Sequence, residues 1–226
     1  MMNDDRVFTL LQHGDSIFPS GSVSFSWGLE MLKNDNLVTS SVGVEDFIES
    51  QLHDKWGTFE RVVLAHCYEH AKDLQAVIPA DNLVECMTLP SELREGSKRL
   101  GSALLSTYVK LDNPVAKQYQ AFIHDNKAHG HLVVSQGLLW HSIGLPKNPV
   151  LTLSAYNFCT SALSAALRLG LISHIDFQMT LTRLGKSISK ILTWPVPEIE
   201  EIHGFTPVSD IASMRHEKSE TRLFIN

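Results

Sequence analysis

Leu93-Arg94-Glu95-Gly96-Ser97-Lys98-Arg99-Leu100-Gly101 runs on through Leu104 and Tyr108, and its apolar residues recur at the i, i+4 and i+7 spacing of one helix face. Working outward, Val62, Val63, Ala65, His66, Tyr68 and Glu69 form a second helical pattern with a wide apolar side. No segment alternates as a half-buried strand does, and Asn-Gly and Asp-Gly hairpin signals are missing. The pattern predicts an all-α protein, a single-domain bundle of about ten helices. They fall near 4–12, 24–35, 43–72, 74–88, 90–111, 114–126, 130–143, 149–169, 174–192 and 207–216.

Helix starts are marked by Asn113-Pro114, Asn148-Pro149 and Thr206-Pro207, each with a capping side chain before a Pro at the first helical position. Ser173 with Asp176 fits a capping box after Gly170 has ended the previous helix. The helix over 149–169 carries small residues from Ala155 to Ala166 that let neighbours approach closely, so it is expected at the centre. Connections are short and no linker is rich in Gly or Ser, so residues 1–226 read as one domain. From about residue 195, after Trp194-Pro195-Val196-Pro197, the chain cannot continue a helix. It becomes a tail expected to pack only partly on the body.

The net charge of -6 argues against nucleic acid as a partner. No run of Lys or Arg supports recruitment to a membrane, and Val150–Leu167 holds too many hydroxyl and amide side chains for an isolated span. Cys67, Cys86 and Cys159 form no C-x-x-C pair and read as small buried hydrophobes. The start of the chain is polar and acidic, which together with the thiols predicts a cytoplasmic protein.

Three short matches point toward catalysis and fail on their partners. Gly14-Asp15-Ser16-Ile17 resembles the nucleophile block of GDS-type serine esterases, but no late Asp has a His three residues on. Gly185-Lys186-Ser187 ends like a phosphate loop, yet Thr180 stands where its first Gly belongs. Ser187 and Lys190 have the spacing of a Ser-x-x-Lys pair without its companion motifs. His66 and His70 lie one helical turn apart without the Glu of a zinc protease motif. His124, His129 and His131 cluster around Gly130 as an alternative, nickel-binding reading.

The two ends of the chain are more specific. Leu10-Leu11-Gln12-His13-Gly14-Asp15-Ser16-Ile17-Phe18-Pro19-Ser20-Gly21-Ser22, continuing to Gly28-Leu29-Glu30, resembles the N-terminal signature of the urease accessory protein UreF family. Ile211 to Met214, Arg215, His216 and Glu217, then Arg222-Leu223-Phe224, resemble its terminal signature. Between them, the stretch from Leu93 through Arg94 and Glu95 to Gly101 is similar to a family helix, and Gly130-His131 through Leu138 to another block. Departures are Val23, Phe25 and Leu171-Ile172-Ser173-His174. The resemblance implies a homodimeric, non-enzymatic assembly protein. It implies binding to UreD (UreH in some species), recruitment of the GTPase UreG, and support for GTP-dependent nickel insertion into apo-urease. The chain itself would bind no cofactor, nickel being the cargo of the complex.

Overall fold

The computed structural model describes residues 4–15, 17–18, 25–219 and 223–224, and among these it is helical throughout, with no strand. Ser16, Pro19, Gly21, Val23 and Arg222 lie outside the described residues. The helices are α1 (Asp4–Gly14), α2 (Leu29–Asn34), α3 (Ser41–Gln51), α4 (Arg61–Glu69), α5 (Leu74–Met87), α6 (Ser91–Lys110), α7 (Pro114–His124), α8 (Leu132–Ser142), α9 (Lys147–Arg168), α10 (His174–Ile191) and α11 (Pro207–His216). A π-helical segment, Leu52–Glu60, joins α3 to α4, and a short 3-10 turn covers Ile199–Glu201.

Local chemistry sets most of these ends. Asn113 accepts the Ala116 N–H at 3.1 Å, and Ser173 with Asp176 completes a reciprocal capping box. Gly170 at φ +71 closes α9. Two expected starts differ. Helix α9 begins at Lys147, two residues before Pro149, because the first N–H groups of a helix lack internal partners and a Pro there loses nothing. Thr206 precedes α11 but makes no capping bond; its hydroxyl reaches the Asp210 carboxylate instead. The segment expected as a helix from residue 24 becomes helical only at Leu29, after Trp27 and Gly28 adopt positive φ.

The core has two parts. One gathers Val63 and Leu64 of α4, Leu104 and Tyr108 of α6, and Val134 and Leu138 of α8. The other gathers Leu29 of α2, Ile48 of α3, Trp56 of the π-helical segment, Leu184 and Ile188 of α10, and Phe224. Helix α9 runs through both: Val150, Leu151 and Leu153 belong to the first, Ala155, Cys159, Ala162 and Ala166 to the second. It also has the length and apolar character of a membrane span, but most of it is buried within the fold. Cys67 and Cys159 are buried, with the Cys159 thiol pushed up to about 12 by burial and by Glu49, whereas Cys86 is exposed on the outer face of α5.

Periodicity alone does not reveal the π-helical segment. It lies inside the apolar pattern predicted for 43–72, and its wider turns serve the chain that follows α10. The Asp54 and Thr58 carbonyls accept the N–H groups of Phe205 (2.9 Å) and His203 (3.3 Å). Arg61, just past the segment, is 2% exposed. Its guanidinium donates to the carbonyls of Gly57, Ile191, Trp194 and Pro195 at 3.0 to 3.3 Å. One buried fork thus satisfies the end of α10 and steers the chain across α4.

Candidate functional site

Glu30, the last residue of Gly28-Leu29-Glu30, stands in the first turn of α2 and is 7% exposed. Gly28 ahead of it has φ +84, and a Cβ there would come within 2.8 Å of the Ser209 carbonyl. Glycine satisfies both demands and lets α11 press on the start of α2. Leu29 points into the core while Glu30 faces α11. There His216, with no exposed surface, places Nε2 3.2 Å from a Glu30 oxygen and Nδ1 2.7 Å from a Glu92 oxygen. Both ring nitrogens are thus engaged by carboxyl groups from two different helices.

The same Glu30 carboxylate accepts the backbone N–H groups of Leu223 (2.9 Å) and Phe224 (3.2 Å). Phe224 is 4% exposed, and Arg168 lies over its ring at 4.2 Å. Glu217 accepts from the Ser91 hydroxyl and the Glu92 N–H at the start of α6, which has no capping side chain of its own. The Ser91 bond foremost holds the Glu217 carboxyl below its usual range. Arg215 pairs with Asp35 on the surface. The Gly28–Glu30 end of the first block therefore meets the described residues of the second: Gly28, Glu30, His216, Glu217, Leu223 and Phe224 converge where α2, α6 and α11 meet. The tail docks on Glu30. Asp15 instead closes a local turn by accepting the Ile17 N–H at 2.7 Å.

A second network surrounds His131. Asp81, fully buried, accepts the N–H groups of His129, Gly130 and His131 at 2.6, 2.9 and 3.1 Å, and the Tyr119 hydroxyl at 2.9 Å. His131 Nε2 lies 2.9 Å from Glu85, and Nδ1 lies 3.1 Å from the Ser97 hydroxyl. Burial draws the His131 ring below its usual pKa, against the pull of Asp81 and Glu85. Arg94 contacts Glu85 at 3.4 Å and donates to the Thr88 and Leu89 carbonyls. Glu95 joins through Lys98, which pairs with both Glu95 and Glu85. Gly101 lets this turn sit on α6: a Cβ there would lie 2.0 Å from the Gly130 carbonyl.

The remaining motifs resolve locally. Gly185, Lys186, Ser187 and Lys190 lie inside α10, where Ser187 donates to Glu49, so there is no phosphate loop. The His66 and His70 rings stack at 4.3 Å. Of the three imidazoles near Gly130, His129 and His131 lie 6.0 Å apart and both approach Glu85, at 3.8 and 2.9 Å, whereas His124 is exposed beside Asp125. Among the described residues no three His, Cys, Asp or Glu side chains are grouped to hold a metal. Sequence reading passed over Arg61, Asp81, Glu85 and Glu92. The one available signal was an ionisable residue within or beside an apolar helical run, as with Arg61 next to Val62 and Val63.

A cavity of about 120 Å³ lies between the two cores, walled by aromatic rings together with His13, Glu60 and Gln136. His13 bonds the Thr9 carbonyl and the Tyr108 hydroxyl, and burial lowers its pKa.

An all-helical body, whose buried carboxylate and imidazole groups fasten its chain ends and turns together, is the class of protein defined here. The chain belongs to the UreF family: the family model described as UreF matches residues 38–185. It is similar over its whole length to the urease accessory protein UreF of Trichodesmium erythraeum, at 31% identity with all of both chains covered. The protein of the same name from Yersinia pestis is 27% identical, again over the whole of both chains. That of Actinobacillus pleuropneumoniae serotype 5b is 26% identical over 98% of this chain and 99% of the relative.

Proposed function

We propose that this chain is a non-enzymatic accessory protein of urease maturation. It works in the cytoplasm as a homodimer that binds UreD (or UreH). Together they recruit the GTPase UreG and support GTP-dependent insertion of nickel into apo-urease, with nickel as cargo. Membership of the family whose relatives bear the name urease accessory protein supports the role. The observation that supports a surface for it is the docking of Leu223 and Phe224 on Glu30, which joins the terminal block to the Gly28-Leu29-Glu30 end of the first. Exposed Phe8, Leu11, Val208 and Ile211 offer apolar area for dimer and partner contacts.

The test is co-purification of the tagged chain with UreD and UreG, with and without GTP, alongside urease activation in cells lacking the chain. Capture of both partners and loss of activation in its absence are expected. Activation that proceeds normally without the chain overturns the reading. So does esterase turnover that disappears in Ser16→Ala, since the reading assigns the chain no hydrolysis.

A further inference from the structure

We propose that the cavity between the two cores is a binding site for a small organic cation of the substituted-ammonium class. Six aromatic rings wall it, those of Phe18, Phe25, Trp27, Phe59, Trp140 and Phe158. Phe25, Trp27 and Phe158 form a continuous run, with centroids 6.3 and 5.4 Å apart and the last pair edge to face. Ring faces attract cations, and several rings around one space form the cage that takes alkylammonium groups.

Aromatic walls alone would also suit a neutral ligand. Glu60 decides the charge. Its side chain lines the cavity at the end of the π-helical segment. Glu60 is half-buried, and among the described residues its carboxyl has neither a hydrogen bond nor an ion pair, whereas the buried carboxylates Glu30 and Asp81 are fully engaged. Burial raises the Glu60 pKa, with Lys55 opposing. Lys55 also lines the cavity but does not ion-pair with Glu60. The volume, about 120 Å³, approaches the roughly 150 Å³ that accommodates benzene in an engineered apolar cavity. That limits the ligand to a head group of tetramethylammonium size.

The full-length protein is titrated with tetramethylammonium chloride, with tert-butanol as the neutral probe of similar shape, following tryptophan fluorescence and heat. Saturable binding of the cation is expected, weakened about tenfold or more for tert-butanol and in Glu60→Gln. Affinity should rise with pH as Glu60 ionises, because bound cation favours the ionised carboxylate over the form that burial favours. Of the other titratable groups on the wall, His13 and Lys55, the His13 ring is held toward its neutral form by burial. Glu60→Gln circular dichroism matching wild type keeps the comparison valid; if that variant unfolds, Trp27→Leu replaces it with the same expectation. No saturable cation binding, equal binding of tert-butanol, or full retention in the folded variant overturns the proposal.

Discussion

Glu30 and His216, 186 positions apart in sequence, meet at 3.2 Å in a site with almost no solvent exposure. The pair joins α2 near one end of the chain to α11 near the other, and the free capacity of Glu30 is spent on the Leu223 and Phe224 amides. Such an acceptor is costly to lose, since both amide donors and the Nε2 side of the ring are then left without partners, Glu92 holding only Nδ1.

Glu30→Ala should therefore lower stability by about 2–4 kcal/mol, two or more charge-assisted bonds being lost at once. The Leu223 and Phe224 amides use different Glu30 oxygens, so Glu30→Gln keeps an acceptor for one of them and should lose less than the Ala variant. Chemical denaturation of the three proteins gives the order wild type, Gln, Ala. Equal loss in both variants would contradict the role of the acceptor oxygen.

Two glycines in helices should respond in opposite directions. Gly101→Ala drives a methyl group into the Gly130 carbonyl, which is backbone and already fixed by the Asp81 bonds beside it. A loss of about 3 kcal/mol or more is expected from such overpacking. Gly185→Ala in α10 meets nothing within 4 Å and should gain about 0.5–1 kcal/mol from helix propensity. Thermal melts of both variants check the pair. The gain at Gly185 also distinguishes a helix-interior position from a phosphate loop.

Stability should fall as pH drops below 6.5. His13, His66 and His131 all have rings held below the ordinary 6.5, chiefly by burial. Below that pH the unfolded chain binds protons that the fold refuses, so the folded state loses ground on acidification. Glu85 and Glu217, held below 4.5, extend the loss to lower pH. Glu60 acts with the opposite sign, since its raised pKa lets the fold bind the extra proton above 4.5. Urea midpoints at pH 7.5 and 5.5 should show the decline, and His13→Gln should reduce it. An unchanged slope in that variant would remove His13 from the account.

How far the sequence showed this arrangement depends on whether a signal was local or long-range. Caps such as Asn113 and the Ser173–Asp176 box were legible because donor and acceptor lie within one turn. Leu93, Leu100, Leu104 and Tyr108 were legible as one face because burial follows helical period, and all four are buried. The terminal blocks were recognised as patterns, but the pairing of Glu30 with His216 depends on tertiary packing that periodicity does not encode. Arg61 and Asp81 were missed for a related reason: each looks like an ordinary polar residue until the carbonyls or amides that it serves are brought to it. The π-helical segment stayed hidden because Leu52, Trp56 and Phe59 are spaced as an α-helix would also space them.

The docked end of the chain has a stability consequence. Phe224 is buried in the second core, beneath Arg168, and Phe→Ala changes at such sites cost about 3–5 kcal/mol. A terminal position relaxes more readily, so Phe224→Ala should fall at or below the lower end of that range. Removal of everything after Ser219 takes away the ring and both amides held by Glu30, leaving that carboxylate buried with His216 alone. The truncated protein should melt lower than the point variant, and Glu30→Gln within it should recover little or nothing, because the donors are gone. If loss of the docked segment is what weakens capture of UreD and UreG, capture should fall with Phe224→Ala even at temperatures where circular dichroism shows the body folded. Should the truncated chain melt with wild type, the docking of Phe224 contributes nothing to the fold. Should Phe224→Ala capture both partners at the wild-type level, the docked segment is not what presents them with a surface.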